Sequence, residues 1–265
     1  MEAEPLLVER KRNVVTLILN RPEKKNSLSP ELVKNLLQTL EELSADDSIR
    51  VVVIRGAGKK AFCAGYDIRA LPTGPSNDVR EKLKTLNPIE LLFKAVVSYP
   101  YPTIAMINGA TFGAGCELAV CCDISIGADD ISIGMPPARL GLVYPLSGLQ
   151  RFIQTIGFRN TREMFFTGRT YRGERLKEIG LLNYVVPSDE LESFTYHMAE
   201  EIAANAPLAL KGTKRILNLL LPPAPLDKEN LMEAESISEA AFLSEDLQEG
   251  QLAFIEKRKP KFKGR

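Results

Sequence analysis

The chain has 265 residues, of which 45% are hydrophobic and 26% charged, and this composition is typical of a globular domain with a sizeable core. Lysine plus arginine and aspartate plus glutamate both number 34, so the formal net charge is zero. That balance argues against attraction to nucleic acid or an anionic membrane by overall charge. No apolar run approaches the roughly 20 residues that span a bilayer, and the acidic first residues lack the features of a secretory signal. We therefore expect a cytoplasmic protein without nucleic-acid or membrane partners.

Four cysteines and one histidine limit the possible metal and nucleophile sites. Cys63, Cys116, Cys121 and Cys122 show no CxxC spacing, and a single histidine adds little to a zinc site. We expect no bound metal and no disulfide framework, with reduced and mostly buried thiols. The histidine, His197, falls in a segment with a helical pattern, and we do not expect it to be a catalytic base.

The first half of the chain alternates predicted strands and helices. Apolar, β-branched residues predict a strand over Val14 to Leu19. Ser29 and Pro30 predict a helix start, since serine caps helices and proline suits the first helical position. The continuous apolar run over residues 51–54 is typical of a strand buried on both faces of a parallel sheet. The pattern further predicts a loop over 72–78, a helix over 88–98, a strand over 103–107, a helix that follows Gly113, and strands over 122–126 and 131–133.

The second half of the chain is predicted to be mainly helical. From about Pro145 onward the apolar residues recur at helical spacing, and the last third is predicted to be all helix. Prolines over 222–225 break this pattern, and residues 221–225 predict a short hinge, not a domain linker. The fold class indicated is therefore α/β with a helical C-terminal region.

Two glycine-containing turns, over residues 61–68 and 108–118, are the candidate sites of chemistry. Each follows a predicted buried strand, and glycine there permits unusual backbone dihedrals and close approach of a ligand. N–H groups at the start of a following helix carry the positive end of its dipole. Two such turns side by side can donate two hydrogen bonds to one oxygen, which is an oxyanion hole. Each turn alone is equally well explained as a tight connection between packed elements.

The ordered set of segments in this chain resembles the crotonase family, also called the enoyl-CoA hydratase/isomerase family. The resemblance covers essentially the whole chain. Besides the two turns, it is carried by residues 15–22, 26–28, 140–142, 168–169, 180–186 and 249–260. It implies a crotonase-like spiral of ββα units over residues 1–200 and a C-terminal helical trimerisation region over 201–265. It also implies assembly as a homotrimer or a dimer of trimers.

The resemblance further implies a coenzyme A thioester as substrate, an enolate intermediate and no permanently bound cofactor. By motif position, the backbone N–H groups of Tyr66 and Ala114 would bind the thioester oxygen. Glu117 matches a catalytic glutamate of the hydratases, but their second glutamate falls at Pro137, which cannot transfer a proton. Tyr144 matches a tyrosine that faces the substrate in methylmalonyl-CoA decarboxylases of this family. Those decarboxylases carry histidine where Tyr66 stands.

Contacts with coenzyme A are also implied by the resemblance. The residues concerned are Ala61 and Ala64 beside the pantetheine, Asp67 and Ile68 in the same turn, Arg69 facing the phosphates, and Phe254 and Lys257 reaching the adenine end from a neighbouring subunit. The basic C-terminal stretch could serve the same phosphates, although it is equally explained as a solvated run of charge. Arg139 could meet a substrate carboxylate, but we expect it on the surface.

Three functions are compatible with these residues. Hydration or isomerisation of an enoyl-CoA is slightly favoured, because Glu117 is present and this chemistry is the commonest in the family. Decarboxylation of a methylmalonyl-CoA-like substrate is favoured by Pro137 and Tyr144. An RNA-binding or catalytically silent protein is the alternative of another class. The zero net charge argues against RNA binding, and the retained Glu117 argues weakly against a silent subunit.

Overall fold

The computed structural model describes residues 4–71, 73–74, 88–220 and 227–264. Apart from Thr73 and Gly74, the predicted loop over 72–78 lies outside these residues, as does the predicted hinge over 221–225. Within the described residues, no helix combines the length and the apolar character that crossing a membrane requires.

The described residues form ten β-strands in two sheets. The strands are β1 Leu6–Lys11, β2 Val14–Leu19, β3 Val51–Gly56, β4 Ala61–Cys63, β5 Thr103–Ile107, β6 Ala110–Phe112, β7 Ile124–Ala128, β8 Ile133–Gly134, β9 Thr170–Tyr171 and β10 Tyr184–Val186. The larger sheet has the order β1-β2-β3-β5-β7-β10, and all its pairs are parallel except β1 with β2. Every residue of β2 and β5 is buried, which explains their continuous apolar sequences.

The smaller sheet places the two glycine turns together. Its order is β4-β6-β8-β9, with β4 parallel to β6. Parallel neighbouring strands end at the same edge of a sheet. The turn that follows Cys63 and the turn that follows Phe112 therefore leave the sheet side by side.

The described residues also form nine α-helices. They are α1 Pro30–Ser44, α2 Pro88–Ser98, α3 Ala114–Cys121, α4 Leu146–Thr167, α5 Glu174–Glu178, α6 Leu191–Ala203, α7 Pro207–Leu220, α8 Lys228–Leu243 and α9 Glu245–Glu256. The Ser29 Oγ accepts a hydrogen bond from the Leu32 N–H at 3.2 Å, so the predicted cap of α1 is confirmed. The predicted bounds of α2 and β5 are confirmed, and the α/β fold class with them. The division of the chain at residue 200 stays a prediction.

Six strands differ from the sequence prediction. β4 and β6 lie within the segments 61–68 and 108–118, which are predicted as turns. β7 and β8 begin two residues later than the predicted strands over 122–126 and 131–133. β9 and β10 lie in the part predicted as helical, so the prediction that the last third is all helix is wrong. β10 has only three residues, and it is stabilised by pairing with β7, in which Tyr184 lies opposite Ile126. Such a long-range contact leaves no local periodicity in the sequence.

Candidate active site

The two glycine turns meet at the start of α3. Gly65 has φ +103° and Gly113 has φ +53°, a region that favours glycine. A Cβ on Gly65 would lie 2.9 Å from the Phe112 carbonyl oxygen and 3.5 Å from the Ala114 nitrogen. The two turns are therefore in direct contact, and this contact leaves no room for a side chain at residue 65.

The backbone N–H groups of Tyr66 and Ala114 lie at this contact. The Leu28 N–H donates to the Gly65 carbonyl at 2.8 Å, and the Asp67 N–H donates to the Leu28 carbonyl at 2.9 Å. In both bonds the peptide group on either side of Tyr66 faces Leu28. The Tyr66 N–H therefore points away from Leu28. Among the described residues, neither the Tyr66 N–H nor the Ala114 N–H donates to a backbone carbonyl outside its own element. That these two N–H groups bind a ligand oxygen stays a prediction.

Glu117 lies in the first turn of α3 and is 2% exposed. Its Oε1 accepts a hydrogen bond from Arg151 Nη1 at 2.6 Å, and its Oε2 accepts a hydrogen bond from the Tyr144 hydroxyl. Both carboxyl oxygens are therefore engaged by donors that come from outside α3. The carboxyl is fixed in one orientation, beside the helix N-terminus that carries the Ala114 N–H.

Tyr144 is held by aromatic packing and by a glycine of α4. Its ring lies edge-on to Phe165 with the ring centroids 5.3 Å apart. A Cβ on Gly148 would lie 2.7 Å from a carbon of the Tyr144 ring and 3.0 Å from Glu117 Oε1. The close contact between Tyr144 and Glu117 therefore requires glycine at residue 148.

Two charged residues of the site were not identified from the sequence. Arg151 of α4 contacts Glu90 of α2, with Nη2 2.5 Å from Oε1 and Nη1 3.0 Å from Oε2. The Ser147 Oγ also donates to Glu90 Oε2 at 3.0 Å, and the guanidinium lies 5.6 Å from the centre of the Phe93 ring. In the sequence, Arg151 and Glu90 look like ordinary polar residues of two amphipathic helices, and only the packing of these helices brings them to Glu117.

The environment of the site shifts the protonation of its groups. Burial raises the pKa of Glu117 above its ordinary value, although the hydrogen bond from Tyr144 and the charge of Arg151 act in the opposite direction. Burial and the neighbouring Glu117 raise the pKa of Tyr144 well above its ordinary value. The phenol is therefore a neutral donor at physiological pH. Burial opposes the charge of Arg151, but its hydrogen bond with Glu90 keeps its pKa above the usual range.

The four cysteines are buried, as predicted, and lack features of reactive thiols. Burial raises the pKa of Cys63 and of Cys122 to about 12, so both remain protonated at neutral pH. His197 lies on α6 with its side chain exposed, 3.2 Å from Glu201. Within the described part of the chain, no group of three or more His, Cys, Asp or Glu side chains is arranged to hold a metal ion.

The remaining predicted residues occupy different positions. Pro137 is buried at the start of a 3-10 helix over Pro137–Leu140, and Arg139 of that helix is exposed, as expected. Ala61 is the first residue of β4 and is buried, whereas Ala64 immediately precedes Gly65 on the first turn and is half-buried. Asp67 caps the following 3-10 helix, Ile68–Ala70: its Oδ1 accepts from the Arg69 N–H at 3.2 Å.

The C-terminal residues lie at the end of α9. Phe254 is 59% exposed, and Lys257 ends the helix with φ +56°. Arg258 forms ion pairs with Glu249 at 2.5 Å and Glu256 at 2.6 Å. The basic stretch is thus partly neutralised by acidic residues of α9, whereas the side chains of Phe254 and Arg69 are exposed.

Comparisons with known proteins identify relatives of this chain. A family model described as enoyl-CoA hydratase/isomerase matches residues 9–265. A methylmalonyl-CoA decarboxylase of Escherichia coli is 34% identical over 252 residues, which are 95% of each chain. A short-chain-enoyl-CoA hydratase of Clostridium acetobutylicum is 31% identical, over 98% of this chain and 97% of the relative.

The solved structures that resemble this chain also include a decarboxylase and a hydratase. A methylmalonyl-CoA decarboxylase in complex with 2S-carboxypropyl CoA superimposes with a TM-score of 0.92, at 32% identity and full coverage of both chains. An enoyl-CoA hydratase from Bacillus anthracis has a TM-score of 0.76, at 34% identity over 99% of this chain and all of the other. The chain is therefore similar to proteins with two different reactions.

Proposed function

Because this chain belongs to the enoyl-CoA hydratase/isomerase (crotonase) family, we propose that it decarboxylates an acyl-CoA thioester of the malonyl type, one that carries a carboxylate on its α-carbon. The thioester oxygen would bind between the N–H groups of Tyr66 and Ala114. An enolate would form there when CO2 leaves. Coenzyme A enters this reaction as part of the substrate and not as a permanent cofactor.

The observation that carries this proposal is the environment of Glu117. Addition of water to an enoyl-CoA is served by one group that activates the water and another that protonates the α-carbon. Position 137 is a buried proline, and the described groups that contact the Glu117 carboxyl are the hydroxyl of Tyr144 and the guanidinium of Arg151. Loss of CO2 needs stabilisation of one oxyanion and delivery of one proton. This smaller set of groups can supply both.

Decarboxylation needs no reactant besides the substrate and a proton from solvent. The bond between the α-carbon and the carboxylate breaks, and its electron pair forms the enolate of the thioester while CO2 departs. The two N–H donors stabilise the negative charge on the enolate oxygen, and one such donor typically contributes about 3 kcal/mol. The pair of Tyr144 and Glu117 then delivers a proton to the α-carbon and regains one from solvent.

The aromatic surroundings of Tyr144 also support decarboxylation. The rings of Tyr144, Phe165 and Phe152 pack edge to face at 5.3 and 5.0 Å. A carboxylate next to such apolar groups loses hydration, which destabilises it relative to a delocalised enolate. The TM-score of 0.92 with a methylmalonyl-CoA decarboxylase, against 0.76 with an enoyl-CoA hydratase, is consistent with this reaction.

Hydration or isomerisation of an enoyl-CoA, which the sequence alone slightly favours, becomes the second candidate. The raised pKa of Glu117 suits a residue that gives and takes protons near neutral pH. In this alternative, Glu117 is the sole carboxylate of the reaction and Tyr144 is a neutral helper.

Coenzyme A would lie along the first turn, at Ala61, Ala64, Asp67, Ile68 and Arg69. We propose that Phe254 and Lys257 of a neighbouring subunit reach its adenine end, in a homotrimer or a dimer of trimers. Both residues are exposed at the end of α9, as such a contact requires.

Product analysis separates the two reactions. The purified protein is incubated in parallel with methylmalonyl-CoA, malonyl-CoA and crotonyl-CoA, and the products are identified by mass spectrometry. We expect loss of CO2 from a malonyl-type substrate and no addition of water to crotonyl-CoA. The variant Gly65→Ala, whose Cβ would enter the contact between the two turns, serves as the inactive control.

Two outcomes contradict decarboxylation. Hydrated product without loss of CO2 would establish the second candidate. Absence of product from all three substrates would indicate a silent member of the family, and acyl-CoA would then raise the melting temperature only if the binding site is retained.

A further inference from the structure

Arg151 lies between two carboxyl groups that come from different helices. Glu117 belongs to α3, Glu90 to α2 and Arg151 to α4. The side chains are 3%, 20% and 15% exposed, respectively. One guanidinium therefore serves two acidic side chains in a largely buried cluster, where charges are screened less than at the surface.

The two carboxyl groups do not share Arg151 equally. Glu90 binds both terminal nitrogens, at 2.5 and 3.0 Å, which is the bidentate geometry of strong arginine–carboxylate pairs. Glu117 receives only Nη1, at 2.6 Å, and Nη1 is the nitrogen that also contacts Glu90. Ser147 gives Glu90 one further hydrogen bond. Glu90 thus competes with Glu117 for the positive charge.

The other groups around Glu117 carry little compensating charge. Tyr144 faces it as a neutral phenol, and the thiols of Cys116 and Cys121 on its own helix are protonated because burial raises the pKa of both. Lys94 of α2 is 60% exposed and lies 3.9 Å from Glu90. Among the described residues, Arg151 and Glu90 are therefore the charged groups whose balance Glu117 experiences most directly.

We propose that Arg151 and Glu90 form a pair of positioning residues that holds the Glu117 carboxyl against Tyr144 and sets the pH at which this carboxyl loses its proton. Arg151 favours the ionised carboxyl. Glu90 opposes it, both by its own charge and by drawing the guanidinium toward itself. This inference rests on the proposed function only in its assumption that Glu117 takes part in turnover.

Substitution of Glu90 and substitution of Arg151 should shift the pH at which Glu117 loses its proton in opposite directions. Glu90→Gln removes a negative charge, and Glu117 is then the only carboxylate of the cluster that pairs with Arg151. The proton of Glu117 is therefore lost at lower pH. In Arg151→Gln, the positive charge is removed, so the proton is lost at higher pH. A charge at this distance shifts a pKa by about one unit or more. The double variant removes one charge of each sign. The pH at which Glu117 loses its proton should therefore return toward that of the parent protein.

The experiment measures the pH dependence of kcat/KM for the acyl-CoA substrate in all four proteins. The limb that belongs to Glu117 is identified as the one that Glu117→Gln abolishes. We expect this limb to move by about one pH unit to the acid side in Glu90→Gln and to the alkaline side in Arg151→Gln. Glu41→Gln, which removes an exposed carboxylate of α1, is the matched control and should leave the profile in place.

A second readout does not depend on turnover. Titration of glutamate labelled with 13C at the carboxyl carbon, followed by NMR, reports the protonation of Glu117 directly, and Glu117→Gln assigns its signal. Where Arg151→Gln does not fold, Arg151→Lys replaces it, because lysine keeps the positive charge but lacks the planar guanidinium with its paired donors. The titration of Glu117 should then shift less than is expected for Arg151→Gln. A fall in kcat with an unmoved profile and an unmoved titration would falsify the proposal and leave the pair a structural role. If the parent protein turns over no acyl-CoA, the proposed function fails, and the titration alone still decides this inference.

Discussion

The Ala114 N–H can be removed by substitution, although most side-chain changes leave backbone donors intact. Proline lacks the N–H and is tolerated at the first position of a helix, which is where Ala114 stands. We expect Ala114→Pro to lower kcat for the acyl-CoA substrate by about 100- to 1,000-fold, because it removes one of the two proposed oxyanion-hole donors. Steady-state kinetics at saturating substrate, together with a thermal melt, measure the effect.

A second helix of the same protein supplies the control for this prediction. Gly173 has φ +54° and ψ −145° before Glu174, and Gly113 has φ +53° and ψ −126° before Ala114. Glu174→Pro therefore introduces proline after a glycine of similar conformation at an exposed helix start. Equal losses of turnover in the two proline variants would mean that the effect comes from the backbone and not from a missing donor.

Candidate residues of the site could be predicted where a short segment resembles a family motif. That resemblance indicated Tyr66, Ala114 and Glu117 in the two glycine turns, and Tyr144 in a later segment. Arg151 and Glu90 are 61 residues apart in the chain, and each looks like the polar face of an amphipathic helix. Their role arises from the packing of α2, α3 and α4, which no local pattern specifies.

At the level of elements, α9 supports the segment that follows the first glycine turn. Gln251 Nε2 donates to the Ile68 carbonyl at 2.7 Å and to the Leu71 carbonyl at 3.2 Å, and its Oε1 accepts from Thr73 at 2.9 Å. Gly250 lets the same helix approach the carbonyl of Leu140, the last residue of the 3-10 helix that begins at Pro137. α9 therefore fixes two segments that border the candidate site.

Gln251→Leu removes these hydrogen bonds and keeps a side chain of similar size. We expect a loss of stability of about 1–3 kcal/mol, since carbonyl groups lose their partners. We also expect a KM for acyl-CoA several-fold higher with a nearly unchanged kcat, because the proposed oxyanion donors and Glu117 stay in place. Gln248→Leu on the same helix is the control, because among the described residues the Gln248 amide donates only to the Ser244 carbonyl at the start of its own helix, at 3.3 Å. A fall in kcat without a change in KM would place Gln251 in the chemistry itself.

Elements with strong local signals were predictable, and elements that depend on distant partners were not. The serine cap and N-terminal proline determine the start of α1, and the apolar runs of β3 and β5 reflect burial on both faces. β10, in contrast, has three residues and exists because β7 offers an open edge. The sequence order of the helices was predictable, but the crossing of α2, α3 and α4 that builds the site was not.

At the level of the whole molecule, the two faces of α7 differ sharply. Lys214 is buried and binds Asp123 at 2.6 Å and the Tyr101 carbonyl at 3.0 Å, which fastens one face of the helix to the core. Leu208 is 83% exposed, and Ile216 and Leu220 are also exposed. Their spacing of eight and four residues places these three side chains on one side of the helix. Exposed apolar faces of this kind mark interaction surfaces.

We expect this face to be covered by further copies of the chain, so that the parent protein has three or six times the mass of one chain in light scattering after size exclusion. The double variant Leu208→Asp with Ile216→Asp should have a smaller mass, because charge in an apolar interface is costly. It should also bind acyl-CoA more weakly, if Phe254 and Lys257 of a neighbour complete the site. Val8→Asp, at an exposed apolar position of β1, should keep the parent mass. A parent protein that stays monomeric at micromolar concentration would contradict both the assembly and the shared coenzyme A site, since α7 and α9 would then have no neighbour to meet.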